Sequence, residues 1–291
     1  MDAAHAAKPS ISSRELLESI ILTTVDVPSL PPMARKVLQI ISNDRSSMTE
    51  LQELIYKDHS FATRVLRIAN SSFYGRRQSV DTIADAVLLI GFKTLKSLVL
   101  GASMRDLHRR FGPVEKSLWQ HSLCVSITAS LIARETAAAP PEEALVAGLV
   151  HDVGKTILNN SVADYYVRIV ERAAQSGIPS VDAEREAFGF SHCDVGGYIA
   201  RKWLFPADLV CAIEHHHAET LPPGDKTELH TICRIVSTAD SLCLRLGIGM
   251  RRDAAFSAAG LDELGLTEER LLSLGEAVRS AYAEQAMHSP E

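Results

Sequence analysis

The chain has 291 residues, 46% of them hydrophobic and 23% charged, so it can bury a large core and its composition excludes disordered and fibrous classes. A formal charge of -6 supplies no global positive field to draw in a phosphate backbone, and nucleic acid is not expected as a partner. The cysteines, Cys124, Cys193, Cys211, Cys233 and Cys243, are odd in number and form no CxxC pair. This argues against a disulfide framework or zinc ribbon and for reduced thiols in the cytoplasm.

The first residues, Met1 to Ser13, are polar with no apolar signal region, and no later run has the length of a membrane span, so neither export nor insertion is expected. Pro28, Pro31 and Pro32 punctuate the approach to a first helix. Leu51, Leu54 and Ile55, then Phe61, Val65, Leu66 and Ile68, recur at three- and four-residue spacing, which is a helical period. Gly75 closes a short unit, Gly112-Pro113 separates the first third of the chain from the remainder, and Pro140-Pro141 opens another helix. Further breaks fall at Gly177 to Pro179 and Pro222 to Gly224.

No run alternates apolar and polar residues between hairpin turns, so the expected fold class is all-α. The pattern divides the chain into an N-terminal helical subdomain (15–111), a second helical subdomain (113–249) and a C-terminal extension of one or two amphipathic helices (250–291). Neither a fixed-period repeat nor a low-complexity tract is present.

The residues suited to chemistry are histidines and aspartates. The apolar helix Ala144 to Val150 ends abruptly in His151-Asp152-Val153-Gly154-Lys155. Polar groups at the tip of a buried helix need partners, and neighbouring helical residues diverge by about 100°, so both side chains of the doublet can reach one metal, the carboxylate bridging two. Lys155 can hold a phosphate as a point charge or stand solvated past the helix end. Further donors are His121, His192, the run His215-His216-His217, and Asp240, each on a separate expected helix. Imidazole and carboxylate are usual ligands of iron, manganese and zinc, and such a centre acidifies bound water for attack on phosphorus. The bland reading of any single histidine is a buried hydrogen-bonding group, and it is adopted for His5, His59, His108, His230 and His288.

The order His121, His151-Asp152, Asp240 resembles the H...HD...D pattern of the HD superfamily of metal-dependent phosphohydrolases. His192 and the pair His216-His217 resemble the extra ligands of its binuclear members, and spacing from Ile213 favours this register, leaving His215 second to them or solvated. The segments Leu30-Pro31-Pro32-Met33, Asp58 to Ser71, Phe73-Tyr74-Gly75, Ile83 to Val87, Leu89-Ile90-Gly91 and Trp203-Leu204-Phe205-Pro206 resemble the HDOD family, the HD-related output domain. The likeness runs from about Val25 to Leu246. It implies a multi-helix HD-like bundle and a bacterial regulatory output protein that acts through partner signalling proteins. Many HDOD proteins have lost the ligands that this chain keeps. After His217 the chain reads Ala218 to Gly224 and lacks the glycine-tyrosine-proline signature of the related cyclic-dinucleotide phosphodiesterases.

The resemblance therefore implies a divalent metal, iron or manganese first, with zinc, nickel or magnesium as alternatives, in a mononuclear or binuclear centre. Its ligands would be His121, His151, Asp152, His192, His216, His217 and Asp240. The alternative to a regulatory module is a metal-dependent phosphohydrolase acting on a nucleotide or other phosphoester, with Asp152 and Lys155 in catalysis. Asn70, Ser71 and Tyr74 are candidates for an interaction surface, the pairs Arg76-Arg77 and Arg109-Arg110 read as solvated faces, and the C-terminal helices leave room for a homo-oligomer.

Overall fold

The computed structural model describes residues 32–41, 48–58, 80–90, 104–108, 112–221, 228–249 and 258–287, together with positions 62, 63, 65, 66, 70, 95 and 99. Ser71, Tyr74, Arg76, Arg77, Arg109, Arg110, His5, His59 and His288 lie outside them, as do the breaks at Gly75 and Pro222 to Gly224. The described elements are helical throughout: α1 (Pro32–Ile41), α2 (Met48–Tyr56), α3 (Ile83–Ile90), a 3-10 turn (Arg105–Leu107), α4 (Pro113–Thr136), α5 (Pro141–Val150) and α6 (Val153–Ser176). They continue with α7 (Ser180–Phe188), α8 (His192–Lys202), α9 (Ala207–His215), α10 (Glu228–Arg245), α11 (Ala258–Leu264) and α12 (Glu268–Met287). The protein is all-α, with no strand among the described residues.

The punctuation sets the boundaries. Pro113 takes the first position of α4, where its missing N–H costs nothing, and the Glu115 carboxylate reaches back to accept from Gly112 N at 2.9 Å. Pro141 opens α5 in the same way. Gly189 ends α7 with φ 82, a left-handed value that favours glycine, and turns the chain into Ser191. Asp194 then accepts from Ser191 N at 2.7 Å, fixing the start of α8 and with it the placement of His192.

Two apolar clusters result. The larger joins Leu51 and Ile55 of α2 and Ile83 of α3 to Val125, Ile132, Leu145, Ile213, Ile235, Leu242 and, from the C-terminal helices, Leu271 and Val278. Helices α4, α5 and α10 form its centre, with α9 laid on α10. The smaller is a side lobe of α6, α7 and α8, packed on Ile157, Tyr166, Phe188, Phe190 and Ile199. Each fully buried aliphatic or aromatic side chain contributes about 1.5–3 kcal/mol, so both clusters are rigid platforms on which polar groups can be held. Asn70 uses its amide within the protein: it accepts from Val80 N at 2.6 Å and donates to Val80 O at 2.8 Å.

Candidate metal centre

His151 and Asp152 occupy the two-residue turn between α5 and α6, not a continuous helix. The 100° divergence expected of helical neighbours is therefore not what separates them. Asp152 has φ -98 and ψ 17, and this turn lets both side chains face inward. His121 and Asp240 lie within α4 and α10, His192 is the first residue of α8, and His216 and His217 form the turn after α9.

These stations converge. Asp152 Oδ2 lies 3.3 Å from His151 Nε2 and 3.7 Å from His121 Nε2, while its other oxygen lies 3.2 Å from His192 Nε2 and 3.5 Å from His216 Nε2. Asp240 Oδ1 is 3.0 Å from His121 Nε2, and Asp240 Oδ2 is 3.8 Å from His217 Nδ1. Asp152 thus stands between two groups of imidazoles. His121, His151, Asp152, His192, His216 and Asp240 are buried, and His217 is more open, with 27% of its side chain exposed. His215 closes α9 outside these groups.

The far nitrogens define the ring states. His121 Nδ1 lies 2.9 Å from Ile248 O, His151 Nδ1 lies 2.7 Å from Gly148 O, and His216 Nδ1 lies 3.0 Å from Ile213 O. A carbonyl only accepts, so each Nδ1 carries a proton, and Nε2 is the atom that each ring turns toward the two carboxylates. His192 differs: its Nδ1 is 2.7 Å from Glu184 Oε2, which also accepts from His192 N at 2.7 Å. Tyr166 donates to the other Glu184 oxygen at 2.8 Å. This carboxylate-histidine pairing is a common way of orienting a metal ligand.

Charge follows geometry. Burial opposes ionisation of Asp152 and Asp240, yet the facing imidazoles, with Lys155 beside Asp152, hold both carboxyls well below the usual range. Burial disfavours the imidazolium of His121 and His192, but Asp240 and Asp152 raise the pKa of the first, and Cys193, Glu184 and Asp152 raise that of the second. Burial and the neighbouring imidazoles push His216 down to about 4. Lys155 donates to Asp152 Oδ2 at 2.7 Å and is largely buried, so it is an internal partner of the centre and not a solvated residue. Burial disfavours its charge, and the surrounding carboxylates keep it protonated above its ordinary value.

A metal ion fits this donor set. His121 Nε2, His151 Nε2 and Asp152 Oδ1 are buried and make no hydrogen bond within the protein, a costly state unless something with positive charge lies among them. His121, His151 and Asp240 bring ligand atoms within 4.8 Å of one another, as do His151, Asp152 and His216.

The sequence motifs did not reach the residues that hold these ligands in place. Glu184 is fully buried, and the signal for it was its place in α7, where Val181, Glu184 and Phe188 share one face. A carboxylate on an apolar stripe implies an internal partner. The Ile248 carbonyl has no signal in residue type at all. Arg234, also buried, donates to Ala218 O at 3.2 Å and Glu219 O at 3.1 Å, and to Glu263 Oε2 at 2.8 Å, bracing the stretch of chain after His217 against α11. Gly154 lets α6 touch α8: a Cβ there would lie 1.9 Å from the carbonyl oxygen of His192.

An all-helical bundle that gathers His, His-Asp and Asp in this order is of the HD type. The sequence profile of the HDOD domain matches residues 27–219, and the chain belongs to the HDOD family. Asp240 and Ile248 lie beyond the matched residues. Among solved structures, the chain is similar to an HDOD domain protein of unknown function from Geobacter sulfurreducens, with 27% identity and a TM-score of 0.77 over 93% of this chain and 97% of that one. A protein from Marinobacter aquaeolei VT8, provisionally named a signal transduction protein, shares the fold at 21% identity and a TM-score of 0.72, over 94% of this chain and 65% of that one. One from Shewanella amazonensis SB2B, provisionally named a metal-dependent phosphohydrolase, shares it at 18% identity and a TM-score of 0.62, over 93% and 99%. An uncharacterised protein of Treponema pallidum (strain Nichols) is 23% identical over 70% of this chain, and the match spans 40% of that relative's length. No helix among the described residues is long and apolar enough to cross a membrane.

Proposed function

We propose that this chain is a cytoplasmic regulatory output module whose His/Asp cluster binds divalent metal, iron or manganese first, and whose helical surface meets a signalling protein. The observation that carries this reading is the convergence of four Nε2 atoms, on His121, His151, His192 and His216, around Asp152 and Asp240, with every far nitrogen already committed. Such pre-orientation lowers the entropic cost of assembling the ligands. The same groups link α4, the α5–α6 turn, α8, α9 and α10, so an ion held among them ties the bundle to the side lobe and stabilises one arrangement of the surface. Ligand burial supports a module in preference to an open catalytic cleft, because a centre that turns over substrate keeps an accessible position.

A second reading, a phosphohydrolase acting on a nucleotide or other phosphoester, is favoured by Lys155. Its ammonium is held protonated and keeps 14% of its side chain exposed, so it can steady an anionic phosphate that reaches Asp152. A divalent ion supplies a Lewis acid that acidifies water and neutralises phosphate charge. The chain's own part is to position: Asp152 sets the spacing between the two imidazole groups, and Lys155 orients its Oδ2.

Elemental analysis of purified protein, paired with an assay on phosphomonoesters, nucleotides and cyclic dinucleotides with added manganese or iron, separates the two. Metal without turnover is expected. Turnover abolished by Asp152→Ala with the helical fold retained would establish the enzyme, and protein that takes up no metal under any loading condition would overturn both.

A further inference from the structure

The second imidazole group contains a donor that the histidine and aspartate pattern leaves out. The Sγ of Cys193 and ring nitrogens of His192, His216 and His217 all lie within 4.8 Å of one another. His192 Nε2 and His216 Nε2 are 3.4 Å apart. Four donors around a tetrahedral ion with bonds of roughly 2.0–2.3 Å stand roughly 3.3–3.8 Å from each other. The His192–His216 pair already has this spacing, and His217 and the Cys193 thiol, within 4.8 Å, need only a small inward movement to reach it. Asp152 Oδ1, buried and without a hydrogen bond in the protein, faces the same point at 3.2 Å from His192 Nε2.

We propose that Cys193 is a metal ligand, so that one of the two positions has an imidazole and thiolate donor set while the other, formed by His121, His151, Asp152 and Asp240, has only nitrogen and oxygen. This rests on the metal-centre reading and specifies its chemistry. Metal capture converts the Cys193 thiol to a metal-bound thiolate and releases its proton to solvent. The sulfur makes that position softer than its neighbour: it selects zinc, iron(II) or cobalt(II) and rejects magnesium and calcium, whereas the nitrogen and oxygen position accepts manganese. Two unlike positions across one carboxylate favour a mixed pair of ions.

The other cysteines are engaged elsewhere. Cys243 contacts Thr128 Oγ1 at 3.3 Å, Cys211 and Cys233 are close neighbours across α9 and α10, and Cys124 is buried in the main apolar cluster. Cys193 sits next to His192 at the start of α8, so this helical end, like the turns at His151-Asp152 and His216-His217, delivers two adjacent donors.

Cobalt(II) titration of the full chain tests this. The expected result is an intense near-ultraviolet sulfur-to-cobalt absorption in the wild-type protein and in Cys211→Ser, absent from Cys193→Ser and Cys193→Ala, which still bind cobalt at the other position. X-ray absorption at the zinc edge of zinc-loaded wild type and Cys211→Ser needs no Cys193 variant, and must fit one sulfur scatterer for every two zinc ions. Cobalt bound without the sulfur band, the band persisting in the Cys193 variants, or a zinc shell of nitrogen and oxygen alone would overturn the Cys193 assignment and leave the metal centre standing. Protein that binds neither ion would overturn the centre itself.

Discussion

The cluster joins two regions that support their ligands by different means. In the main bundle, His121 and His151 give their Nδ1 protons to the backbone carbonyls of Ile248 and Gly148, neutral acceptors fixed by helix packing. In the side lobe, His192 gives its proton to Glu184, a buried carboxylate held by Tyr166. A carboxylate partner raises the basicity of the ring it orients, and a carbonyl does so less. The bundle therefore supplies ligands placed by shape, and the lobe supplies one tuned by charge. Asp152 spans the seam between them.

The seam itself is the place to break this arrangement. At Gly154 an added methyl would stand 1.9 Å from His192 O and 2.9 Å from Gly196 N, all backbone, so α8 has to move as a unit. At Gly148, inside the bundle, the nearest atoms are Val125 O at 2.8 Å and Ser126 Cα at 2.9 Å. Overpacking costs about 1–3 kcal/mol, occasionally more. Gly154→Ala is expected at or above the top of that range, about 3 kcal/mol in denaturant unfolding, together with loss of metal stoichiometry. Gly148→Ala is expected to be milder. The reverse order would mean that the lobe is the looser partner.

Glu184→Gln comes next and addresses the lobe alone. It keeps the shape and removes the charge opposite His192, and loss of such an orienting partner typically lowers metal affinity 10–100-fold. Equilibrium dialysis should show one weakened position and one unchanged. Equal weakening of both would show that the two regions act as one unit. Tyr166→Phe, which removes only the hydrogen bond to Glu184, should cost about 1 kcal/mol of stability.

Acidity sharpens the same contrast. In the metal-free protein, burial is outweighed at His192 by Cys193, Glu184 and Asp152 and at His121 by Asp240 and Asp152, so both have pKa values above the ordinary value of about 6.5. Their contribution to metal-free stability is complete below that ordinary value and is lost as pH rises through the raised ones. An ion must displace those protons, so metal affinity moves oppositely and strengthens with rising pH across this window. Isothermal titration in buffers of different ionisation heat should record proton release on metal uptake. A pH-independent affinity would contradict the charge assignment at His192.

Much of this molecule could be read from residues. The spacing of Leu51, Leu54 and Ile55 announced helices, and Gly112-Pro113 and Pro140-Pro141 marked the starts of α4 and α5. The stations His121, His151-Asp152, His192, His216-His217 and Asp240 were legible because few residue types carry that chemistry, and the structure brings them together. What stayed hidden was whatever depends on backbone position. That His151 and Asp152 share a turn, that Ile248 offers a carbonyl, and that Gly154 permits a helix contact are properties of tertiary packing with no residue type of their own. Glu184 was hidden for a different reason: it is one of three acids in a short amphipathic helix, where acids are ordinarily solvated, and only its place on the face of Val181 and Phe188 sets it apart from Asp182 and Glu186.

The smallest expected effect concerns the ion pair by which Arg234 of α10 links α11 to the stretch of chain after His217. The Arg234 guanidinium is buried and holds the carbonyls of Ala218 and Glu219, directly after His217, while Glu263 on α11 grips it from outside. The Glu263 side chain is half exposed, and exposed ion pairs contribute at most about 1 kcal/mol. Glu263→Gln should therefore lower the melting temperature by a few degrees at most and leave metal stoichiometry unchanged, since the carbonyl contacts persist. If instead the lobe-side ion is lost in Glu263→Gln while the bundle-side ion stays, then α11 is part of what holds His217 in place, and the soft position depends on a helix that lies beyond the family match at residue 219.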